Sequence, residues 1–263
     1  MNTAEKQELH DLKISGSGSS GGGQFNKVKI SGSGKISGDI DCKELKISGS
    51  GKINGNIKTG YMKSSGSSHI HGDLKAEKIS ISGSSKFEGS IMAATMEVSG
   101  SSKVSENLIC KDFKASGSCV VQGKLQGENV KSSGLLKVLK DCEVETFTSH
   151  GAVTIDGLLS ADKVDIQLEH QSSIKEIGGE TIVVKNQNST RLLKQVVNFF
   201  FQKDDHLHSD LIEGDEVYLE NTKAKLVRGK NVVIGENCEI ETVEYSGSLD
   251  IKKESKVQNQ VKM

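Results

Sequence analysis

The 263-residue chain contains no proline and no tryptophan, and aromatic residues make up only 4% of it. Without proline, no backbone N–H is withheld from a hydrogen-bond ladder, which is what a stacked sheet requires. Hydrophobic residues total 34%, too few for a thick central core and too many for a disordered chain. That balance suits a solenoid, where a thin core runs the length of the molecule and each layer buries a few aliphatic side chains. Neither sign of charge is in excess: 34 basic and 35 acidic residues leave a net charge of −1. A nucleic-acid partner is therefore not expected, since binding one takes a basic surplus. No apolar run approaches the ~18 residues of a membrane span. Met1 to Leu12 is polar and lacks the apolar core of a signal peptide, so a cytoplasmic location is expected. The five cysteines have no metal-type spacing. Cys42, Cys110 and Cys142 fall on apolar slots of the pattern below and read as small, reduced hydrophobes.

What the chain has in quantity is glycine, 29 residues, and the glycines are periodic. Val28 to Ile40 (VKISGSGKISGDI) returns as Leu45 to Ile57 (LKISGSGKINGNI), and further copies start at Met62, Ile79, Met96, Phe113, Val130, Phe147 and Val164. The starting position advances by 17 each time, from 28 to 45 to 62 and onward, and a partial copy precedes them at Leu12. Gly32, Gly49, Gly66, Gly83, Gly100, Gly117, Gly134 and Gly151 form one column of the repeat. Ile36, Ile53, Ile70, Phe87, Val104, Val121, Val138 and Ile155 form another.

Within a copy, apolar and polar residues alternate as in a strand. Val28, Ile30, Ile36 and Ile40 share one parity with Gly32, Gly34 and Gly38, while Lys29, Ser31, Ser33, Lys35, Ser37 and Asp39 take the other. Glycine fits corners where a Cβ has no room. Because 17 is odd, each coil has to break parity once, and the break is expected near Lys43–Glu44. Helical solenoids repeat every ~33–47 residues without such alternation and are excluded. The fold class is therefore all-β: a single-stranded parallel β-helix in which each copy of the repeat makes one coil. Alternation alone does not set the handedness.

Beyond Ser172 the pattern weakens and then resumes. On multiples of 17, Val183, Val217, Ile234 and Ile251 share the register of Ile30, and Ile240 and Val257 that of Ile36. Between them, apolar spacing from Thr190 to Phe201 predicts a short amphipathic helix near 190–202, capped by Ser189 or Thr190. Asp204 to Asp210 reads as an exposed loop. The expected organisation is a polar, Gly/Ser-rich segment with a partial coil (1–27), regular coils (28–185), a helical insertion and loop (186–214), and degenerate coils with a tail (215–263).

Several motifs have to be weighed. Gly16 to Gly21 spells G-x-G-x-x-G, but no helix follows to hold a phosphate, so no nucleotide is expected. His69 with His71, and His206 with His208, are spaced like metal ligands, yet solvated surface histidines are the simpler reading. Ile234 to Ile240 resembles one hexapeptide unit of the left-handed β-helix acyltransferases; a single unit, with no general base nearby, does not make an enzyme. Catalytic, cofactor and metal sites are thus not expected. Outward lysines form two columns: Lys29, Lys46, Lys63, Lys114 and Lys131, and Lys35, Lys52, Lys86, Lys103 and Lys137. Stacked like charges repel, so these columns are either a solvated face or a docking stripe for an anionic lipid surface or acidic partner. Serine columns from Ser31 to Ser133 and from Ser33 to Ser118 leave an ice- or glycan-binding module as an alternative function.

The repeated aliphatic-x-Ile/Val-Ser-Gly followed by Lys-Ile-x-Gly-Asp-Ile (Lys35 to Ile40, with variants at Lys52 to Ile57 and His69 to Leu74) resembles the bactofilin family, from about Leu12 to Ile177. The resemblance implies right-handed, three-faced β-helices that polymerise end to end without nucleotide. It also implies a scaffold, in place of an enzyme, for cell-shape, envelope or motility machinery at the inner membrane surface. The partners it implies are further copies of the chain, that membrane surface, and envelope or motility proteins. This chain departs from the family's short, Pro-rich tails. Open sheet edges at the ends of a β-helix template another coil, and a non-closing contact gives a filament. Val28, Ile30 and Ile36 at one end and Val257 at the other are the expected polymer interface.

Overall fold

The computed structural model describes residues 9–186 and 205–263. Twenty-two strands, from β1 (Leu12–Ile14) to β22 (Lys256–Lys262), join in one continuous sheet that winds as a solenoid. Every strand pairing is parallel, and through the regular part each residue pairs with the one 17 positions on, as in Ile53↔Ile70 and Met62↔Ile79. The all-β architecture and the coil length are as the repeat predicts.

One column counts the layers. Leu12, Val28, Leu45, Met62, Ile79, Met96, Phe113, Val130, Phe147, Val164, Ile182, Val217, Val232 and Leu249 stand in successive register. Each layer places three pairs of side chains inward. In the third these are Leu45 and Ile47, Gly51 and Ile53, and Ile57 and Thr59, all buried. The outward residues between them in this layer, Lys46, Lys52 and Lys58, are polar. A fully buried Ile, Leu or Val contributes about 1.5–3 kcal/mol, so the core is built from many small, repeated contributions. The parity break occurs where alternation requires it: Cys42 and Leu45 are both buried, with Lys43 and Glu44 between them. Cys42, Thr59, Ala76, Ala93 and Cys110 share a column, which puts the two thiols four layers, about 19 Å, apart.

Corners explain the glycines. A Cβ added at Gly49, Gly66 or Gly83 would drive into the carbonyl oxygen of the glycine one coil below, well inside the 3.0 Å that real Cβ atoms respect. That column is therefore glycine because the backbones approach closely. The second corner repeats this close approach at Gly55 and Gly72, whose Cβ would meet the carbonyl of the glycine one coil below. Gly38 there also has φ 119°, which a side chain disfavours. There Asp39, Asn56 and Asp73 build a side-chain ladder. Asp39 Oδ1 accepts the Asn56 N–H (2.7 Å), Asn56 Oδ1 accepts that of Asp73 (2.9 Å), and Asp73 Oδ1 that of Ser90 (2.8 Å). Polar residues recurring at the repeat period are the sequence signal for the ladder.

The structure corrects the expected register after Ser149. Val164 pairs with Ile182, Ile182 with Val217 and Val217 with Val232. From position 164 to position 232 is four times 17, but the chain covers that distance in three turns of 18, 35 and 15. Ile234 and Ile251 thus return to the Ile30 column, while the column positions before them are Val184 and Leu219. Val183 is displaced to the outer side, and Val217 lies in the Leu12 column. Ile240 and Val257 share a column through Ala224, as expected.

Two corners account for the first change. The one before Ser172 gains two residues, since Ser149↔Ile166 becomes Thr154↔Ser173, and a bulge between Ile155 and Leu158 removes one. At later corners Asn221 (φ 47°) and Asn237 (φ 56°) take the left-handed conformation in place of glycine. The helix expected near 190–202 lies outside the described residues. The loop expected over Asp204–Asp210 is already strand from Leu207, because Leu207↔Thr222 and Ser172↔Leu207 hold it in the ladder with Leu207 fully buried.

Candidate self-assembly surfaces and a histidine–glutamate cluster

The residues expected at the N-terminal end, Val28, Ile30 and Ile36, lie one layer inside it. Leu12 covers Val28, Ile14 covers Ile30 and Ser20 covers Ile36. All three are at most 1% exposed. Residues 12–27 form a whole turn in place of the partial one expected, because glycines and serines fill slots that later turns give to isoleucine. The end layer is therefore Leu12, Ile14, Gly18, Ser20, Gly23 and Phe25. His10 meets the Phe25 ring edge-on, with centroids 5.6 Å apart, and Asn26 Nδ2 donates to Asp11 Oδ1 at 2.9 Å.

At the other end the last layer holds Leu249, Ile251 and Val257, each partly buried against the core. Gln260 there lies over Val243. Among the described residues, β1 pairs only with β2 (Ser17–Ile30), and β22 only with β21 (Glu239–Ile251). Within the described residues, both ends thus leave backbone groups of parallel strands without a strand partner on their outer side. The two ends also match in kind. Leu12 and Leu249 finish one column and Ile14 and Ile251 another, while the Ile40 column finishes in Gly23 at one end and Gln260 at the other.

On the flank, the lysine columns are in register but interrupted. Lys29, Lys46 and Lys63 continue from Lys13, then Ser80 and Glu97 intervene before Lys114 and Lys131. The second column runs Lys35, Lys52, His69, Lys86, Lys103, Val120, Lys137. Lys46 pairs with Glu44 (2.5 Å) and Lys86 with Glu88 (2.7 Å). Lys46 is the main cause of the lowered Glu44 pKa.

His69 and His71 come together with a residue the sequence reading did not connect to them. Glu88 lies one period after His71. Its Oε1 is 2.8 Å from His69 Nε2 and its Oε2 is 2.6 Å from His71 Nδ1. The two ring centroids are 4.1 Å apart, with the ring planes tilted by 32°. The Lys86 ammonium, followed by the His69 ring, holds the Glu88 carboxyl well below the usual range, at about 2. His208 lies elsewhere, between Ser173 and Lys223 in the column that began with Lys35. All five cysteines are buried with free thiols, and burial pushes Cys110 up to about 12.

Residues 10–108 match the family described as bactofilin, polymer-forming cytoskeletal. Over those residues the chain is similar to a bactofilin domain. The uncharacterized protein YhbF of Bacillus subtilis is 42% identical over 108 residues, 41% of this chain and 42% of the relative. The uncharacterized protein YhbE of the same organism is 41% identical over 114 residues, 41% of this chain and 44% of the relative. The match thus spans less than half the length of these relatives. No solved structure matches the chain. The coils after Leu108 extend the columns of the matched region without a break, through Phe113 and onward. Among the described residues, no helix is long and apolar enough to cross a membrane.

Proposed function

We propose that the protein is a non-enzymatic, cytoplasmic structural element that polymerises end to end into filaments without nucleotide. Its place would be as a scaffold for cell-shape, envelope or motility machinery. The observation that carries this reading is the pair of open ends, where the same columns finish apolar in Leu12 and Ile14 on one side and in Leu249 and Ile251 on the other. A second copy would extend the ladder and complete the burial of Leu12, Leu249 and Ile251, Ile14 being already only 8% exposed, so the junction would resemble an interior layer. The run Lys13, Lys29, Lys46, Lys63 is the best-placed part of the flank for an anionic inner-membrane surface.

Electron microscopy and sedimentation of the purified full chain test the proposal, with and without ATP or GTP and at 0.1 M and 1 M salt. Single filaments are expected in all conditions, because edge pairing is short-range, whereas contacts through lysines weaken as the Debye length falls from about 10 Å to about 3 Å. A monodisperse monomer in every condition overturns the reading. Filaments that dissolve in salt would move the contact to the lysine columns.

A further inference from the structure

The cluster of His69, His71 and Glu88 stands on the flank, away from both open ends, and the filament reading does not use it. We propose that these three residues form a binding site for a borderline divalent d-block cation of the Zn2+ class, with a fourth coordination position open to solvent.

The argument begins with the backbone. His69 belongs to β6 (Ser67–Ile70), whose partner in the next coil is β8 (Ser84–Phe87). The His71 N–H is bonded to the Ile53 carbonyl and the Glu88 N–H to the Ile70 carbonyl, both at 2.9 Å. The Cα positions are therefore set by the sheet before any ligand arrives, and fully buried Ile70 and Phe87 anchor the two coils from inside. The donor atoms of the three residues lie within 4.8 Å of one another, with side chains about one-third exposed.

The donor set itself is selective. Two imidazoles and one carboxylate suit Zn2+ and its neighbours, whereas Ca2+ and Mg2+ prefer oxygen. Around a tetrahedral ion with bonds of about 2.0–2.2 Å, donor atoms are about 3.3–3.5 Å apart. The nitrogen–oxygen separations, 2.8 Å to Oε1 and 2.6 Å to Oε2, are both shorter than this, so the partly exposed Glu88 side chain would rotate back to present one oxygen to the ion. Lys86 is the competitor: its ammonium sits 2.7 Å from Glu88 Oε1 and must leave, and its side chain is 46% exposed, free to do so. His69 also replaces the lysine that its column carries on either side, at Lys52 and Lys86. A like charge is thereby missing where the cation would sit.

The test uses untagged full-length protein, stripped with a chelator and titrated with Co2+, then with Zn2+ in competition. Visible absorption of tetrahedral Co2+ saturating at one equivalent per chain, and displaced by Zn2+, is expected. His71→Asn and Glu88→Gln should each weaken binding by more than about 100-fold, beyond what loss of a supporting residue does, with β-sheet circular dichroism intact. Lys86→Ala should tighten it, an outcome that a purely structural ion-pair cluster would not give. No saturable uptake overturns the proposal, as does uptake unchanged in both ligand variants or uptake abolished by His208→Asn alone.

Discussion

Ile14 lies directly over Ile30, and Ile14 is the one that faces the end of the molecule. The two isoleucines differ in what a charge would do. Ile14 is 8% exposed in the end layer, so Ile14→Lys puts an ammonium one side-chain length from the open edge, where it can extend to water. It should block end-to-end association and leave a β-rich circular dichroism spectrum. Ile30→Lys puts the same charge between Ile14 and Ile47, at 0% exposure, and should unfold the first turns, because nearest-neighbour contacts set solenoid stability. Sedimentation combined with thermal melts separates the two. Filaments from the Ile14→Lys protein would remove the end layer from the interface.

Inward and outward positions on one turn should respond oppositely to the same new side chain. Ile53 is fully buried between Ile36 and Ile70, so Ile53→Asp buries an unpaired carboxylate at a cost of several kcal/mol. Lys52, exposed and adjacent to Lys35, should accept aspartate with a change within about 0.5 kcal/mol. Equal loss of melting temperature in the two variants would contradict the facing of the strand.

Corner glycines offer a similar contrast. Gly83→Ala drives a methyl into the Gly66 carbonyl, whereas a Cβ at Gly16 meets nothing within 4 Å. The first should cost about 3 kcal/mol or more and the second almost nothing. Chemical denaturation of the two variants measures the difference.

Acid should weaken the coils around Glu88. Its carboxyl titrates at about 2 in the folded chain, against an ordinary 4.5. A lowered folded value means the pairing with Lys86 and His69 stabilises fully above about 4.5 and is lost as pH falls through about 2. Because the group is solvent-exposed, the effect is small and screened by salt. Thermal melts from pH 7 down to 2 should show a shallower acid decline in Glu88→Gln than in the unaltered protein. Parallel curves would mean the pairing contributes nothing.

The repeat was legible because the same slots recur. Val28, Leu45 and Met62 announce a column, and the parity break at Lys43–Glu44 follows from an odd period. What counting by 17 could not reveal is that each layer takes its register from the one beneath it. Turns of 18, 35 and 15 therefore place Val184 and Leu219, not Val183 and Val217, in the Ile30 column. The same arithmetic was available for the flank cluster, since Glu88 is His71 plus one period. The His69–His71 pair lies within one coil and is visible in the sequence, whereas the contact with Glu88 crosses coils and appears only when the period is applied to polar residues as well. Ile14 was missed as the end residue because Gly18, Ser20 and Gly23 leave its turn with few apolar neighbours, so a complete coil reads as a fragment of one.

The long step between Ile182 and Val217 also bears on how such a chain can be lengthened. Asn186 ends one strand and Leu207 begins the next, in register with Ser172 beneath. The flanking turns keep their columns although many more residues separate them than a single coil needs. The described layers on either side hold their register across this step, through Ser172↔Leu207 and Ile182↔Val217. The step is thus a natural insertion point: a reporter or a binding peptide added between Asn186 and Asp205 should leave those pairings in place, and in a filament it would recur once per subunit along the length.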